Sequence, residues 1–315
     1  MGIAIFAAIV IFVVLSLRQK AAANKKAQEE AEAKRKAKEE HLQREKQREE
    51  ERQKREAERA EYQKELDEQM KRKAAKKAAA EEAEAALIRS LPAAEISVAE
   101  VPAEKLGVRV LNEINSSNIT ARTNREKLGN FVALDVETTG LSVQQAEIID
   151  VAAVRFEDFE PVEVFSTLCF PKKGINPEAA KINGIHEDDV AGKPMFQQIA
   201  ASLQDFIGKE NLVGHNLFID LKFITKYGVD VISQKRKYYD TLEISQRTVQ
   251  KYKYKKTYDR ELDFYDSEWV GGDVENYKLG TLCEFYKIPM PSSHRALGDA
   301  VAAGRLFKKL SDARK

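Results

Sequence analysis

The chain changes character twice along its length, and the order of apolar and polar positions marks the changes. Gly2 to Leu17 is an unbroken apolar stretch without charge, and Arg18 and Lys20 follow it at once. From Lys20 to about Ile88 almost every residue is Ala, Glu, Lys, Arg or Gln. Only after this point does the sequence show the short alternating and helical periodicities of a globular domain.

The apolar start predicts a transmembrane anchor over residues 1–19. It is somewhat shorter than the ~20 residues that a spanning helix prefers, although a thinner bilayer can accommodate it. A cleaved signal peptide is the alternative, but no basic residue precedes the apolar core. Because basic residues follow the stretch, the positive-inside rule keeps the rest of the chain inside. The expectation is therefore a single-pass membrane protein whose catalytic domain faces the cytoplasm.

Residues 20–88 predict one long charged helix, since the segment lacks Pro and Gly and is made of strong helix formers. Acid-to-base pairs at i,i+4 recur, as in Glu40 with Arg44, and each contributes ~0.2–0.5 kcal/mol. Large apolar residues such as Leu42 and Leu66 are too sparse to fill a coiled-coil seam. A solvated spacer is favoured over nucleic-acid or lipid binding, and weak self-association through the charged helix stays open as a partner hypothesis.

Residues 89–130 indicate a linker, because Pro92, Pro102 and the polar run Asn115 to Asn118 interrupt any regular pattern. One short helix is expected over 103–114. Residues 131–315 then form a unit long enough to bury one full core.

Within this unit the pattern alternates between strand-like and helix-like segments. Three strand-like segments come first and indicate an antiparallel meander, and shorter strands alternating with helices follow, which is typical of an α/β domain with a mixed sheet. The expected strands begin at Phe131 and cover Ala146–Phe156, Glu163–Cys169, Leu212–Gly214 and Tyr238–Asp240, and the expected helices cover Met195–Ile207, Leu217–Tyr227, Lys278–Tyr286 and Arg295–Leu310.

Composition adds little to this picture. The net charge of +1 averages segments of very different character, so it excludes no class of partner. Cys169 and Cys283 are the only cysteines and have neither disulfide-framework nor metal-site spacing. We expect both to be reduced and buried in or near the core.

Chemistry enters where the first strand ends. Asp135 and Glu137 stand at i and i+2, so they share one face of the strand, while Leu134 and Val136 share the other. Two like charges on one face are costly unless a cation lies between them, and carboxylate oxygens suit Mg²⁺ or Mn²⁺. An edge strand with two solvated acids is the alternative from these two residues alone.

Two further constellations contain acids. In His215-Asn216-Leu217-Phe218-Ile219-Asp220, Asn216 is expected to cap a helix and Asp220 to lie one turn inside it. In the segment from His294 to Asp299, the separation in a regular helix would turn the two side chains apart. His294 is therefore expected on the loop or first turn that enters the last helix, with Ser293 as a possible cap. Taken singly, each residue is equally compatible with a solvated surface position.

Together these motifs resemble the three exonuclease motifs of the DEDDh branch of the DnaQ-like 3′→5′ exonucleases. The segments between them match too: INGIHEDDV, YDTLEIS and LGTLCEFYKI. The resemblance covers about 131–307 and nothing before it. It implies a ribonuclease H-like fold with a mixed five-stranded sheet and flanking helices.

The resemblance also implies roles for the motif residues. Four carboxylates would hold two divalent ions, Mg²⁺ or Mn²⁺, and His294 would accept a proton from the attacking water; the four are Asp135, Glu137, Asp220 and Asp299. Thr138, Thr139, Leu141 and Asn216 would bind the terminal nucleotide.

One segment departs from the family pattern. Residues 249–276 are longer than the family usually carries, and they begin with lysines interleaved with tyrosines, from Lys251 to Tyr258. Such a segment could meet phosphates and stack on bases, or simply form an exposed hairpin strand.

The functional hypothesis is a membrane-anchored, metal-dependent 3′→5′ exonuclease that acts on nucleic acid with a free 3′ end, DNA being the expected substrate. The alternatives are RNA 3′ trimming and a non-catalytic scaffold that binds nucleic-acid ends or a protein. A polymerase or other protein partner is left open.

Overall fold

The computed structural model describes residues 2–99, 114–120, 122–233, 235–259, 264–291 and 294–313. The chain divides into two compact units, Met1–Ala75 and Lys76–Lys315. Helix α1 covers Gly2–Ser90, so the prediction of a long charged N-terminal helix is confirmed. Along it the side chains from 38 to 75 are exposed and form i,i+4 ion pairs such as Arg72 with Glu68. Exposed pairs of this kind each contribute little, so the helix relies mainly on its composition.

The predicted membrane anchor needs correction. No helix in the described part of the chain has a stretch long and apolar enough to span a membrane. The uncharged run Gly2 to Leu17 falls short of the ~20 residues required, and the same helix continues directly into charged sequence. The side chains of residues 1–19 lie outside those described. The prediction of a single-pass membrane protein with a cytoplasm-facing domain was wrong and is not carried further.

The second unit is built on a mixed five-stranded sheet. The strand order is β3-β2-β1-β4-β5, in which β1, β2 and β3 are antiparallel neighbours and β4 and β5 run parallel to β1. The predicted ribonuclease H-like sheet is thereby confirmed. The strands are β1 Phe131–Thr138, β2 Ile148–Glu157, β3 Glu160–Leu168, β4 Leu212–Gly214 and β5 Tyr238–Asp240.

Helices cover both faces of this sheet. They are α2 Pro177–Asn183, α3 Glu187–Val190, α4 Phe196–Ile207, α5 Leu217–Lys226, α6 Thr241–Thr248, α7 Leu279–Tyr286 and α8 Ala296–Asp312. One apolar cluster joins α4 and α5 to one face, and a second joins α6, α7 and α8 to the other. Central strand β1 is buried on both faces: Leu134 and Val136 belong to the first cluster, and Phe131 and Ala133 to the second. Asp135 and Glu137 continue the row of Phe131 and Ala133, because successive side chains alternate.

The close packing of α8 on the sheet fixes where its first turn lies. Phe131 stacks on Phe156 with ring centroids 4.7 Å apart, and Phe307 of α8 meets Phe131 edge-on at 5.1 Å. Gly304 lies so near Phe156 that a Cβ there would come within 2.4 Å of the ring. A side chain at this position would push α8 away from β2.

The described parts of residues 89–130 lie along the two edges of the sheet. The Ala94 N–H donates to the Val164 carbonyl at 2.7 Å and the Val164 N–H to the Pro92 carbonyl at 2.9 Å, beside edge strand β3. On the opposite edge the Ser117 N–H donates to the Tyr238 carbonyl at 2.6 Å. Pairing of this kind satisfies edge groups that would otherwise invite association. The short helix expected over 103–114 lies almost entirely outside the described residues.

The insertion contains a β-hairpin. Strands β6 Lys253–Asp259 and β7 Phe264–Val270 pair antiparallel in a separate two-stranded sheet. The segment therefore forms the hairpin that the alternation of lysines and tyrosines left open as an alternative, while the side chains of residues 254–270 lie outside those described.

Candidate active site

Strand β1 delivers the first two carboxylates to the end of the sheet. In the antiparallel pairing Asp135 lies opposite Ala152, and Glu137 lies opposite Asp150. The register shifts between Glu137 and Thr138, where the strand ends.

The turn after β1 is held by its own hydroxyls. The Thr138 hydroxyl donates to the Gly140 carbonyl at 2.7 Å, and the Thr139 hydroxyl accepts from the Glu147 N–H at 3.0 Å. Leu141, directly after this turn, is 98% exposed. Leu141 therefore contributes nothing to the core.

Helix α5 delivers Asp220. Its N-cap residue, Asn216, adopts a left-handed conformation with φ 63°, and its N–H donates to Asp240 Oδ1 at 3.0 Å. The Asn216 side chain makes no capping hydrogen bond, so the expected cap is present in position only. Asp220 is buried and accepts a hydrogen bond from the Val136 backbone N–H. This bond places Asp220 directly against the end of β1.

The loop before α8 delivers His294 and Asp299. His294 precedes the helix, as its spacing from Asp299 suggested, and has a left-handed backbone with φ 60°. Its N–H donates to Asp299 Oδ2 at 3.2 Å, which closes the loop onto the first turn. The cap proposed at Ser293 lies outside the described residues.

These elements converge on one point. Ligand atoms of Glu137, His294 and Asp299 all lie within 4.8 Å of one another. Asp135 and Asp220 belong to the same electrostatic group, because the charges of Asp220, Asp299 and Glu137 all act on Asp135. The structure therefore brings together all five residues that the three motifs singled out.

The carboxylates of the site repel one another, and burial makes their charged forms energetically costly. Burial, reinforced by mutual repulsion, raises the pKa of Asp135 and of Asp220 well above the ordinary aspartate value. The same causes raise the pKa of Glu137 to about 7. Burial raises the pKa of Asp299 to about 6 against the opposing effect of the His294 N–H. Each of these acids would ionise more readily beside positive charge.

The donor set fits a divalent metal ion. Asp299 Oδ1 is buried and has no hydrogen-bond partner among the described residues, so an acceptor of full strength is left unused. Clustered carboxylate oxygens are the ligands that hard divalent ions take in proteins.

Asp150 is a residue of this site that the sequence analysis missed. It is buried on β2, and its Oδ2 accepts from Arg295 Nε at 3.0 Å and from the Ala296 N–H at 3.3 Å. Burial raises the pKa of Asp150, while the Arg295 guanidinium acts in the opposite direction. Asp150 thus accepts hydrogen bonds from both residues that follow His294, namely Arg295 and Ala296. The signal was a single acid inside the apolar run of β2, opposite Glu137 once the antiparallel register is drawn.

A cleft of about 650 Å³ opens beside Asp299 and His294. Its walls combine the site residues with apolar and polar neighbours, namely His215, Asn216, Leu242, Tyr277, Lys278, Leu279, Gly280, Thr281, Met290, His294 and Asp299. Space of this size next to the acids is where a substrate can approach.

His215 lines this cleft and connects the segments around it. Its Nδ1 lies 3.0 Å from the Thr241 hydroxyl and its Nε2 lies 2.9 Å from the Tyr277 carbonyl. Burial lowers the pKa of His215 to about 4, so the ring is neutral at physiological pH. It links the end of β4 to α6 and to the chain that enters α7.

Residues 132–307, more than half of the chain, match the profile of the RNase_T exonuclease family. The chain belongs to this exonuclease family. Enzymes of the family depend on divalent metal ions, in agreement with the donor set described above. The predicted membership of an exonuclease family is confirmed by this match.

Relatives of this exonuclease domain include parts of bacterial DNA polymerases. PolC-type DNA polymerase III of Caldanaerobacter subterraneus is 31% identical over 61% of this chain and 12% of that protein. The DNA polymerase III epsilon subunit of Aquifex aeolicus is 30% identical over 58% of this chain and 80% of the subunit. The chain thus spans only about one eighth of the length of the first PolC-type relatives.

Among solved structures, exonuclease X in complex with 5′ overhanging duplex DNA is similar over 58% of this chain and 91% of that chain, with 24% identity and a TM-score of 0.41. A TM-score this low supports no functional conclusion.

Proposed function

We propose that this protein is a divalent-metal-dependent 3′→5′ exonuclease that hydrolyses the terminal phosphodiester of nucleic acid, with DNA as the first expected substrate, and releases nucleoside 5′-monophosphates. The observation that carries the proposal is the convergence of Asp135, Glu137, Asp220, His294 and Asp299 at one end of the sheet. Asp220 is buried and the other three carboxylates are half-buried, and solvated surface acids would not gather in this way, since each raises the cost of ionising the others.

The four carboxylates would hold two ions, Mg²⁺ or Mn²⁺. When bound, such ions supply positive charge to both the attacking and the leaving oxygen of a phosphodiester. Asp299 has an oxygen without a partner among the described residues, and Glu137 has a raised pKa. Both features favour binding of a metal ion, because a cation would offset the energetic cost of holding a negative charge away from water.

His294 would act as the general base. It lies at the exposed rim of the carboxylate group, and an imidazole nitrogen can accept the proton of an attacking water at neutral pH. The His294 N–H donates a hydrogen bond to Asp299, and the next two residues donate hydrogen bonds to Asp150. These bonds would keep the backbone that carries the ring in place.

The turn after β1 and the start of α5 would bind the terminal nucleotide. The backbone around Thr138 and Thr139 is fixed by its hydroxyl hydrogen bonds, and the exposed Leu141 offers an apolar surface to a base. Asn216 lines the cleft beside His294 and would contact a sugar or phosphate.

Two alternatives remain for the same domain. RNA 3′ trimming uses the same chemistry and differs only in contacts to the 2′-hydroxyl. A non-catalytic scaffold is disfavoured, because a degenerate site would be expected to lack at least one of the five residues. Relatives named as DNA polymerase III subunits make a polymerase a candidate partner, and self-association through α1 stays a prediction.

The test uses the full chain with 5′-labelled single-stranded DNA and RNA of matched sequence, in Mg²⁺ or in EDTA. The proposal predicts a ladder that shortens from the 3′ end, is absent in EDTA and is absent in the Asp135→Ala variant. The faster substrate decides between DNA and RNA. Equal degradation by Asp135→Ala and the unaltered protein would remove this site from consideration.

A further inference from the structure

A second cavity adjoins the catalytic cleft, at the base of the β6–β7 hairpin. It measures about 900 Å³, and Tyr277 lines both spaces. We call it the hairpin groove; its walls are Ile119, Gln246, Arg247, Thr248, Val249, Gln250, Lys251, Tyr252, Lys253, Gly271, Gly272, Tyr277 and Ala313. The two cavities therefore lie next to each other, with Tyr277 in the wall of both.

The side chains of the hairpin groove suit a phosphate-bearing chain. Lys251 and Lys253 are exposed, and neither forms an ion pair with a described residue. Tyr252 lies between them in sequence and is 38% exposed, which leaves part of its side chain accessible for stacking. Cationic and aromatic side chains side by side are the combination that binds single-stranded nucleic acid without base preference.

Among the described side chains, Asp273 and Glu243 are acids in the segments that form the groove wall. Asp273 accepts a hydrogen bond from the Gln250 N–H at 2.9 Å, and Glu243 pairs with Arg247 at 2.9 Å. Glu243 is thus neutralised by Arg247, whereas Asp273 keeps its negative charge beside the neutral Gln250 N–H. Among these groups Lys251 and Lys253 outweigh Asp273, which leaves net positive charge for an incoming anion.

The groove is held in a fixed relation to the catalytic cleft. The Tyr252 N–H donates to the Val274 carbonyl at 2.8 Å, and the Tyr277 hydroxyl donates to the Val249 carbonyl at 3.0 Å. Gly272, at φ 106°, lies against the backbone of Lys251 and Tyr252, where a Cβ would approach the Tyr252 nitrogen to 2.6 Å. The base of the hairpin therefore cannot shift freely, and its lysines stay beside Tyr277.

We propose that the hairpin groove binds the single strand upstream of its 3′ end while the terminal nucleotide occupies the catalytic cleft. The inference rests on the proposed function and adds a path for the substrate. The two cavities lie on either side of Tyr277, and this adjacency favours a nucleic-acid strand over an acidic peptide, since the strand must extend away from the site where its end is cleaved. DNA and RNA share the phosphodiester chemistry that the groove would recognise.

The test measures binding without turnover. The full chain in EDTA is titrated into 5′-fluorescein oligo(dT) and oligo(U) of 20 nucleotides, and anisotropy gives the affinity at several salt concentrations. Lys251→Ala with Lys253→Ala is expected to weaken binding about 10-fold and to reduce the salt slope by about 1.4, from ~0.7 per lost phosphate contact on a single strand. Tyr252→Ala is expected to weaken binding several-fold through lost stacking.

The matched control removes two exposed lysines elsewhere, Lys209→Ala with Lys309→Ala, and should change affinity less than twofold. The loss in the groove variant should shrink as the oligonucleotide is shortened to three nucleotides, because a short strand ends before the groove. A groove variant that binds 20-nucleotide strands as tightly as the unaltered protein overturns the proposal, as does equally tight binding of poly-glutamate.

This outcome is separate from the proposed activity. Release of 4-nitrophenol from a thymidine 5′-(4-nitrophenyl phosphate) ester by the unaltered protein in Mg²⁺ reports on the catalytic centre alone. Lack of hydrolysis with groove-dependent strand binding would contradict the exonuclease activity and leave the groove standing, and hydrolysis with groove-independent binding would do the reverse.

Discussion

Metal ions should stabilise this protein by an amount that grows with pH. In the metal-free protein, the pKa of Glu137 is raised from 4.5 to about 7 by burial and by the neighbouring acids. Between pH 4.5 and about 7, Glu137 is therefore protonated in the folded state and ionised in the unfolded state. The free energy of unfolding of the metal-free protein therefore falls as pH rises above about 4.5, and the loss that Glu137 causes is complete above about pH 7.

The size of the effect follows from the shift. One pKa unit corresponds to ~1.4 kcal/mol, so Glu137 alone would cost the metal-free fold ~3 kcal/mol at pH 8, and partial solvent exposure reduces this to about 2 kcal/mol. Asp299, whose pKa is raised to about 6 by burial, acts in the same direction. The two contributions are not additive, because both acids belong to one interacting group.

The assay is thermal unfolding in EDTA and in Mg²⁺ at pH values from 5 to 8. The melting temperature in EDTA should fall across this range relative to a Glu137→Gln, Asp299→Asn variant, in which the two acids cannot ionise. The gain on adding Mg²⁺ should be small at pH 5 and largest at pH 8, and the variant should show almost none. A metal gain that is independent of pH, or equal in the variant, would refute the electrostatic account of the site.

Three further predictions concern single residues. His294→Ala should lower kcat about 10²–10⁴-fold while Mn²⁺ binding, measured by titration calorimetry, is largely kept, and an unchanged rate at neutral pH would refute the base assignment. Asp150→Ala should lower kcat more than it raises KM, because the chain after His294 loses both hydrogen bonds to Asp150. Asp150→Asn should restore part of the rate. If Asp150→Ala has the same kcat and KM as the unaltered protein, a positioning role is contradicted. Gly304→Ala should destabilise the fold by ~1–3 kcal/mol in urea unfolding, since its Cβ would meet the Phe156 ring, and a neutral effect would show that α8 can shift at no cost.

The elements that the sequence predicted well are those whose pattern is local. Strands β4 and β5 were predicted at Leu212–Gly214 and Tyr238–Asp240, as observed, because short apolar runs stand between clear breaks. The alternation in β1 predicted the shared face of Asp135 and Glu137, since strand periodicity needs no tertiary information.

The missed elements are short or depend on tertiary contacts. Helix α2 carried the signals of Asn176 as N-cap and Pro177 at its first position, but its seven residues show too little periodicity to stand out. Helix α6 begins where the Asp240 side chain accepts the Leu242 N–H, an interaction that the strand-like sequence before it concealed. Asp150 could be recognised only once the register of β1 and β2 was known.

The wrong prediction has a different origin. The N-terminal apolar run was given a separate role as an anchor on hydropathy alone, although it is shorter than a spanning helix prefers. In the structure the backbone of this run belongs to the same helix as the charged segment that follows.

The most direct test of the account is the product released from a 5′-labelled single strand of 20 nucleotides by the full chain in Mg²⁺. The account predicts nucleoside 5′-monophosphates from the first time point, labelled strands that shorten one nucleotide at a time, and no turnover by Asp135→Ala. Internal fragments, release of the label from the 5′ end, or unchanged turnover by the variant would contradict it.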